Sequence, residues 1–327
     1  METTVTYKNF NSQRKFGIEL EIGCTVSKVK IQSAIREISR KPAVVTRYQP
    51  SIDNGYWHIK SDATCGPKGR LGPKGVEIAS FVGSGNPDLQ HICDVSQSLS
   101  KIGCKVNDNC GLHIHADAAD LTTNHVGTLL GYWIKIEKCL QFALPDRRRS
   151  NEYCRMVSDR YIIPKYVGVL DYVNSSSSNN KGSNLYCLMS PTNTGYYENS
   201  DRRQNFNLVN YARAMNYFQS GRTTLELRWP EGTLVPGDIA GWTRLFLGFI
   251  ETCKDRPFPE NIQQTSLIDV LDCCGLWHSQ KGFTIFGKES FETRIWLLER
   301  FAKYESQYTN EAKELLDFIC SPGKKSA

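Results

Sequence analysis

Phe16-Gly17-Ile18-Glu19-Leu20-Glu21-Ile22-Gly23 is the stretch on which the reading of the fold turns. Its apolar residues alternate with two glutamates. That is the period of a β-strand, in which successive side chains point to opposite faces. Ile18, Leu20 and Ile22 therefore share one face, and Glu19 and Glu21 share the other. Leu112-His113-Ile114-His115-Ala116 repeats the design with two histidines, out of only six in the chain. Leu225-Glu226-Leu227-Arg228-Trp229 repeats it again with Glu226 and Arg228, and Thr224 stands beside them. Val76-Glu77-Ile78 adds a further glutamate opposite its apolar pair.

Taken singly, each pair has a plain reading. A Glu-x-Glu strand is a water-facing edge, and a Glu226/Arg228 pair is a surface ion pair worth little. Together they describe something else. A solvated strand face carries Thr, Lys, Ser and Gln, whereas these faces carry carboxylates, imidazoles and a guanidinium. Carboxylates gathered on one surface repel one another unless a cation neutralises them, and hard divalent ions prefer such oxygen ligands. Neutral imidazole can join the ligand set, and arginine takes phosphate oxygens bidentately. The inference requires these strands to be neighbours, which the sequence by itself does not state.

Outside these strands the pattern is mixed. Strands are predicted at 16–23, 55–61, 76–81, 111–116 and 223–229. Helices are predicted at 29–39, 87–102, 121–144, 236–253, 265–274 and 289–318 from apolar residues at helical spacing. Gly66 to Gly75, with tandem Gly-Pro-Lys-Gly units, and Asn174 to Asn184, rich in Ser and Asn, read as loops. Lys68 and Lys74 in the first loop have two readings, a phosphate-binding turn or an exposed hairpin tip. Interleaved strands and helices followed by a helical tail give an α+β class, with helices on one face of a mostly antiparallel sheet. No repeat or composition shift marks a boundary. A single domain over 1–327 is expected, with a core at about 14–254 and a helical extension at about 255–327.

The bulk numbers exclude some classes. The chain has 327 residues, 40% hydrophobic and 23% charged, which is ordinary for a globular protein. No run approaches the ~18 consecutive apolar residues of a membrane span. Met1 to Arg14 is polar and lacks the apolar stretch of a secretory signal, so no membrane partner and a cytoplasmic location are expected. The net charge of +6 is compatible with anionic substrates such as nucleotides. The 12 cysteines are scattered without a Cys-x-x-Cys, so they are expected to be reduced, small and buried. There is no Walker A loop, no Gly-x-Gly-x-x-Gly opening a helix and no Gly-x-Ser-x-Gly elbow.

The same strands carry a family resemblance. The segments 16–21, 75–80, 110–115 and 224–233, in that order and approximate spacing, resemble the amidoligases, which belong to the superfamily of glutamine synthetase and glutamate–cysteine ligase. Arg148-Arg149-Ser150-Asn151-Glu152-Tyr153-Cys154 resembles a further segment of that family. The resemblance covers about residues 14–250. It implies a glutamine-synthetase-like fold: a curved antiparallel sheet with helices packed on its convex face, and a concave face that binds ATP and Mg2+ or Mn2+.

It further implies metal ligation by Glu19, Glu21, Glu77, His113 and Glu226. His115 would contact nucleotide or phosphate, and Arg228 would hold a phosphate. Asn210 and Arg213 fall among polar positions expected near the nucleotide, and Arg148, Asn151 and Tyr153 among those expected near the substrate. The implied activity is ATP-dependent joining of a carboxylate to an amine through an acyl phosphate, with Glu226 and Arg228 at the reacting phosphoryl. Asp62 is assigned to deprotonating the amine, beside an equal structural reading.

The substrates implied are small-molecule or peptide carboxylates and amines. A modified nucleic-acid substrate and self-association into a homo-oligomer are left open. Departures from the family pattern around Asp62 and Ser80 bear on substrate contacts more than on the metal ligands. The competing readings are a metal-dependent phosphoester hydrolase, a guanidino-kinase-like phosphotransferase and a nucleotide-binding relative without turnover.

Overall fold

The computed structural model describes residues 13–23, 26–46, 55–66, 75–158, 203–215, 223–259, 262, 265–277, 288–304 and 306–320. The loop expected at 174–184, and Lys68 and Lys74 of the other loop, lie outside the described residues. The chain divides into two compact units. One takes in Gln13–Asp117 and Glu226–Thr243, the other Ala118–Leu225 and Arg244–Ala327. No helix among the described residues is long and apolar enough to cross a membrane.

The first unit is built on an open sheet. Its strands are β1 (Lys15–Ile22), β2 (Ala43–Val45), β3 (Trp57–Asp62), β4 (Gly75–Ala79), β5 (Gly83–Ser84), β6 (Leu112–Asp117) and the second half of β8 (Thr224–Leu227). They are ordered β2-β3-β4-β1-β6-β8, with β5 paired to β1. β1 is antiparallel to β4, β5 and β6, and β3 is antiparallel to β4, while β2 and β3 are parallel. The five strands read from alternation are all present. The others, β2, β5 and β7 (Phe206–Asn207), are two or three residues long, too short to show a period.

Alternation divides the sheet into an apolar and a polar face. On the apolar face Ile18, Leu20, Ile22, Ile59, Ile78, Leu112 and Ile114 are all buried. The helices α1 (Lys28–Ile38) and α2 (Gly85–Lys101) carry buried rows of their own, Ile31, Ala34 and Ile35 on the first and Leu89, Ile92, Val95 and Leu99 on the second. The Ser27 hydroxyl accepts from Lys30 N at 3.3 Å and caps α1.

The second unit is mostly helical. It contains α3 (Thr123–Leu140), α4 (Asp146–Arg149), β7, α5 (Val209–Met215), α7 (Leu267–Cys273), α8 (Lys288–Tyr304) and α9 (Ser306–Cys320); α6 (Pro236–Cys253) crosses the division. Three expected boundaries differ. The helix expected through Leu144 ends at Leu140 in a 3-10 turn, Gln141–Ala143, just before Pro145. The long terminal helix is two helices. The strand expected to reach Trp229 stops at Leu227, because Pro230 cannot donate to a ladder and restricts the residue before it.

Glu137 places a charge on the buried stripe of α3, and its hydrogen bonds account for it. It is fully buried and accepts from Val157 N (2.9 Å), Ser158 N (2.6 Å) and Asn205 Nδ2 (2.9 Å). Asn205 in turn accepts from Trp133 Nε1 at 3.1 Å. The carboxylate thus fixes residues 157–158 and residue 205, close to the parallel bridge between Arg155 and Gln204.

Burial pushes the Glu137 carboxyl up to about 7, against hydrogen bonds that favour its ionised form. A folded-state pKa above the ordinary 4.5 means that protonation favours the folded chain. That contribution is complete below about 4.5 and lost as pH rises through about 7. At about 1.4 kcal/mol per unit it is on the order of 3 kcal/mol. We expect the melting temperature to fall as pH rises from about 5 to about 8. Glu137→Gln should flatten that fall while lowering stability at the acid end, because its amide would face donors. Thermal melts of both proteins across this range check it; an unchanged slope in the variant would refute the assignment.

Candidate active site

Register places the chemistry. Glu19 lies directly across from His113 on β6 and from Ala79 on β4, and Glu21 lies across from Glu77. Glu77 is in turn opposite Lys60 on β3. Opposed residues in a sheet share a face, so Glu19, Glu21, His58, Lys60, Asp62, Glu77, His113 and His115 all occupy the polar one. Glu226 joins them from β8, the strand beside β6.

At the centre the groups are within ion-pair distance. His113 Nδ1 is 3.3 Å from Glu19 Oε2 and 3.9 Å from Glu226 Oε1, and its Nε2 is 3.6 Å from Glu21 Oε1. His115 Nε2 is 3.3 Å from Glu19 Oε1 and 3.8 Å from Glu226 Oε1. Arg228, one residue past the strand, returns its Nη1 to Glu226 Oε1 at 2.5 Å. Glu21 Oε2 accepts from Gly111 N at 2.6 Å. On the far side Lys60 Nζ holds Glu77 Oε1 at 2.8 Å.

These neighbours set the charges. Burial works against ionisation of Glu19, but the charges of His115 and His113, with the hydrogen bond to His113, hold its carboxyl well below the usual range. Burial likewise opposes the Glu226 carboxylate, and Arg228, His115 and His113 outweigh it and lower its pKa. Burial alone would depress His115, yet the charges of Glu226 and Glu19 raise it. Glu77 behaves differently: burial and then the charge of Glu19 push it up to about 7, despite Lys60.

A divalent cation fits this centre. One donor atom from each of Glu19, His115 and Glu226 lies within 4.8 Å of the other two. The His115 Nε2 atom is buried without a well-formed hydrogen bond, although it sits between two carboxylates. An imidazole nitrogen in that position has the chemistry of a ligand. The resemblance gives the metal to His113 and the nucleotide to His115; the atoms grouped in the structure include His115. A Cβ on Gly17, which is paired with His115, would meet nothing within 4 Å among the described residues.

The remaining expected residues separate. Asp62 lies on the polar face, where its Oδ1 accepts from Thr64 N (2.7 Å) and Thr64 Oγ1 (2.6 Å), the pattern of a turn. Arg148, Asn151, Tyr153, Asn210 and Arg213 belong to the other unit. There Arg148 is buried, Asn151 Oδ1 accepts from Tyr153 N at 2.8 Å, and Asn210 Nδ2 donates to Thr224 Oγ1 at 3.1 Å. Tyr153 is exposed, with the Arg203 guanidinium 4.6 Å from its ring centre.

Two residues of the polar face escape the motif reading, His58 and Lys60. Their signal is the same alternation: Trp57-His58-Ile59-Lys60-Ser61-Asp62 has His58, Lys60 and Asp62 as its polar set.

Fold and site together define an α+β protein whose open, mostly antiparallel sheet carries a cluster of carboxylates, imidazoles and a guanidinium on its polar face. A family model described as "Putative amidoligase enzyme" matches residues 12–250, and the chain belongs to that family, an enzyme family of ligases. No curated protein matches the chain.

Proposed function

We propose that this chain is an ATP-dependent carboxylate–amine ligase on a glutamine-synthetase-like sheet, using Mg2+ or Mn2+. The observation that carries the reading is the grouping of Glu19, His115 and Glu226, with Arg228 bound to Glu226. Two carboxylates and one imidazole suit a hard or borderline divalent ion. When bound, that ion offsets charge on the phosphates.

The chain's own residues do the rest. A carboxylate is a poor electrophile because its leaving group would be an oxide, and transfer of the terminal phosphoryl of ATP to it supplies a better one. Arg228 presents a planar guanidinium to the transferring phosphoryl while Glu226 fixes its orientation. The amine attacks the acyl carbon, the amide bond forms, and phosphate leaves with the electrons of the acyl–oxygen bond. Asp62 has one carboxylate oxygen committed to Thr64 and a second to take the proton of the amine.

Calorimetric titration with a non-hydrolysable ATP analogue, with and without magnesium, tests the reading. Magnesium-dependent binding at one to one is the expected result and would be followed by screening carboxylate and amine pairs for ADP release. Absence of binding under both conditions would turn the assignment toward a metal-dependent hydrolase.

A further inference from the structure

We propose that Lys60 is a positioning residue of the metal centre: its ammonium holds Glu77 beside Glu21 in the orientation that serves the divalent ion. Lys60 is one of the two polar-face residues that the motifs pass over, and the mechanism above does not use it. The proposal rests on the metal centre of the ligase reading and on none of its later steps.

Register builds a row of three charges across β3, β4 and β1. Lys60 lies opposite Glu77, and Glu77 lies opposite Glu21. Side chains directly opposite on neighbouring strands stand about 4.5–5.5 Å apart at Cβ, and like charges there repel. Glu77 is therefore flanked by a carboxylate on one side and an ammonium on the other. Lys60 Nζ takes its Oε1 at 2.8 Å. Glu21 is held from its own far side, where Gly111 N donates to Oε2 at 2.6 Å and His113 Nε2 is 3.6 Å from Oε1. Each carboxylate thus has a partner on the flank away from the other, which counters their repulsion. Two carboxylates kept opposite each other suit a hard divalent ion, and the resemblance counts both among the metal ligands.

The backbone fixes where the ammonium can act. Lys60 is the middle of five consecutive pairs joining β3 to β4, from His58 opposite Ala79 to Asp62 opposite Gly75. The Lys60 and Glu77 side chains are 17% and 19% exposed, sheltered enough to keep one geometry but too wet for the pair to add much stability. Its consequence is geometric. With one oxygen drawn toward β3, the second oxygen of Glu77 lies on the side away from Lys60. A carboxylate already oriented by an outer partner meets an ion without first losing rotamer freedom.

Mn2+ titration of the full chain without nucleotide, read by the electron paramagnetic resonance of the free ion, tests this role. Lys60→Met should weaken Mn2+ binding by about tenfold or more, with an unchanged circular dichroism spectrum and a nearly unchanged melting temperature. Removing a positive charge near the ion would by itself tighten binding, so a loss reports the lost orientation. Lys60→Arg, which keeps a charge and donors, should stay close to the parent chain. Glu77→Gln should also weaken binding, and adding Lys60→Met to it should cost nothing more, because the lysine acts through that carboxylate. Should Lys60→Met not fold, Lys60→Thr, which suits a strand, takes its place with the same expectation. Unchanged or tighter binding in the lysine variant, or losses that add in the double variant, would overturn the role of Lys60 and leave the metal reading standing. No Mn2+ binding by the parent chain would overturn the metal reading and this role with it.

Discussion

Glu19→Gln is expected to abolish magnesium-dependent binding of an ATP analogue while leaving the fold intact. Glu19 is the carboxylate both imidazoles converge on, at 3.3 Å from His113 Nδ1 and 3.3 Å from His115 Nε2. The neighbouring imidazoles hold its carboxyl below the usual range and so favour the charged form. The amide is nearly isosteric, so packing on the sheet survives. What disappears is the negative donor, and with it the charge that orients His113 and His115. A loss of at least about 100-fold in metal-dependent affinity is expected, since disturbing residues that merely support metal ligands already costs about 10–100-fold. Calorimetry with magnesium, beside a circular dichroism spectrum, reads both arms. Parental affinity in the variant would remove Glu19 from the metal site.

The second large effect falls on turnover. Arg228→Lys should lower kcat by roughly 10²–10³-fold, the usual cost of losing a donor aimed at developing charge, while the KM for ATP moves only a few-fold. Lysine keeps the charge but not the fork. Arg228 spends one nitrogen on Glu226 Oε1 at 2.5 Å, and its guanidinium holds the other donors in a fixed plane. An ammonium held by Glu226 presents no such plane to a phosphoryl group. Steady-state kinetics separate the possibilities: a rise in KM with kcat unchanged would make Arg228 a ground-state binding residue and refute its role at the transferring phosphoryl.

Much of this centre is legible in the amino-acid order. Period two in β1, β6 and β8 puts Glu19 with Glu21, His113 with His115, and Glu226 with Arg228, because a strand offers no other arrangement of alternate residues. In the folded chain the glutamates and histidines of β1 and β6 keep the polar face while the apolar set enters the core. Arg228 marks the limit of that reading. The strand ends early, ahead of Pro230, and the guanidinium reaches Glu226 from outside the ladder.

Other features leave weaker marks. Glu137 is only one charge among Trp133, Ile134, Ile136 and Leu140, and its three donors come from residues 20 to 68 positions away. Cys65 and Cys110, 45 residues apart, look like isolated small residues until two turns bring them together.

Which side chains share a face therefore follows from the chain alone, since it needs nothing but local backbone geometry. Membership in an amidoligase family follows from it too, through four short motifs in order. Which strands lie side by side does not. The neighbours β4-β1-β6-β8 come from segments up to about 200 residues apart, and only the assembled sheet sets their order. Only that assembly brings His115 between Glu19 and Glu226, and gathers Cys65 beside Glu21 and Asp62. Alternation is imposed within each strand by covalent geometry, whereas the pairing of strands is selected by the burial and hydrogen bonding of the whole sheet at once.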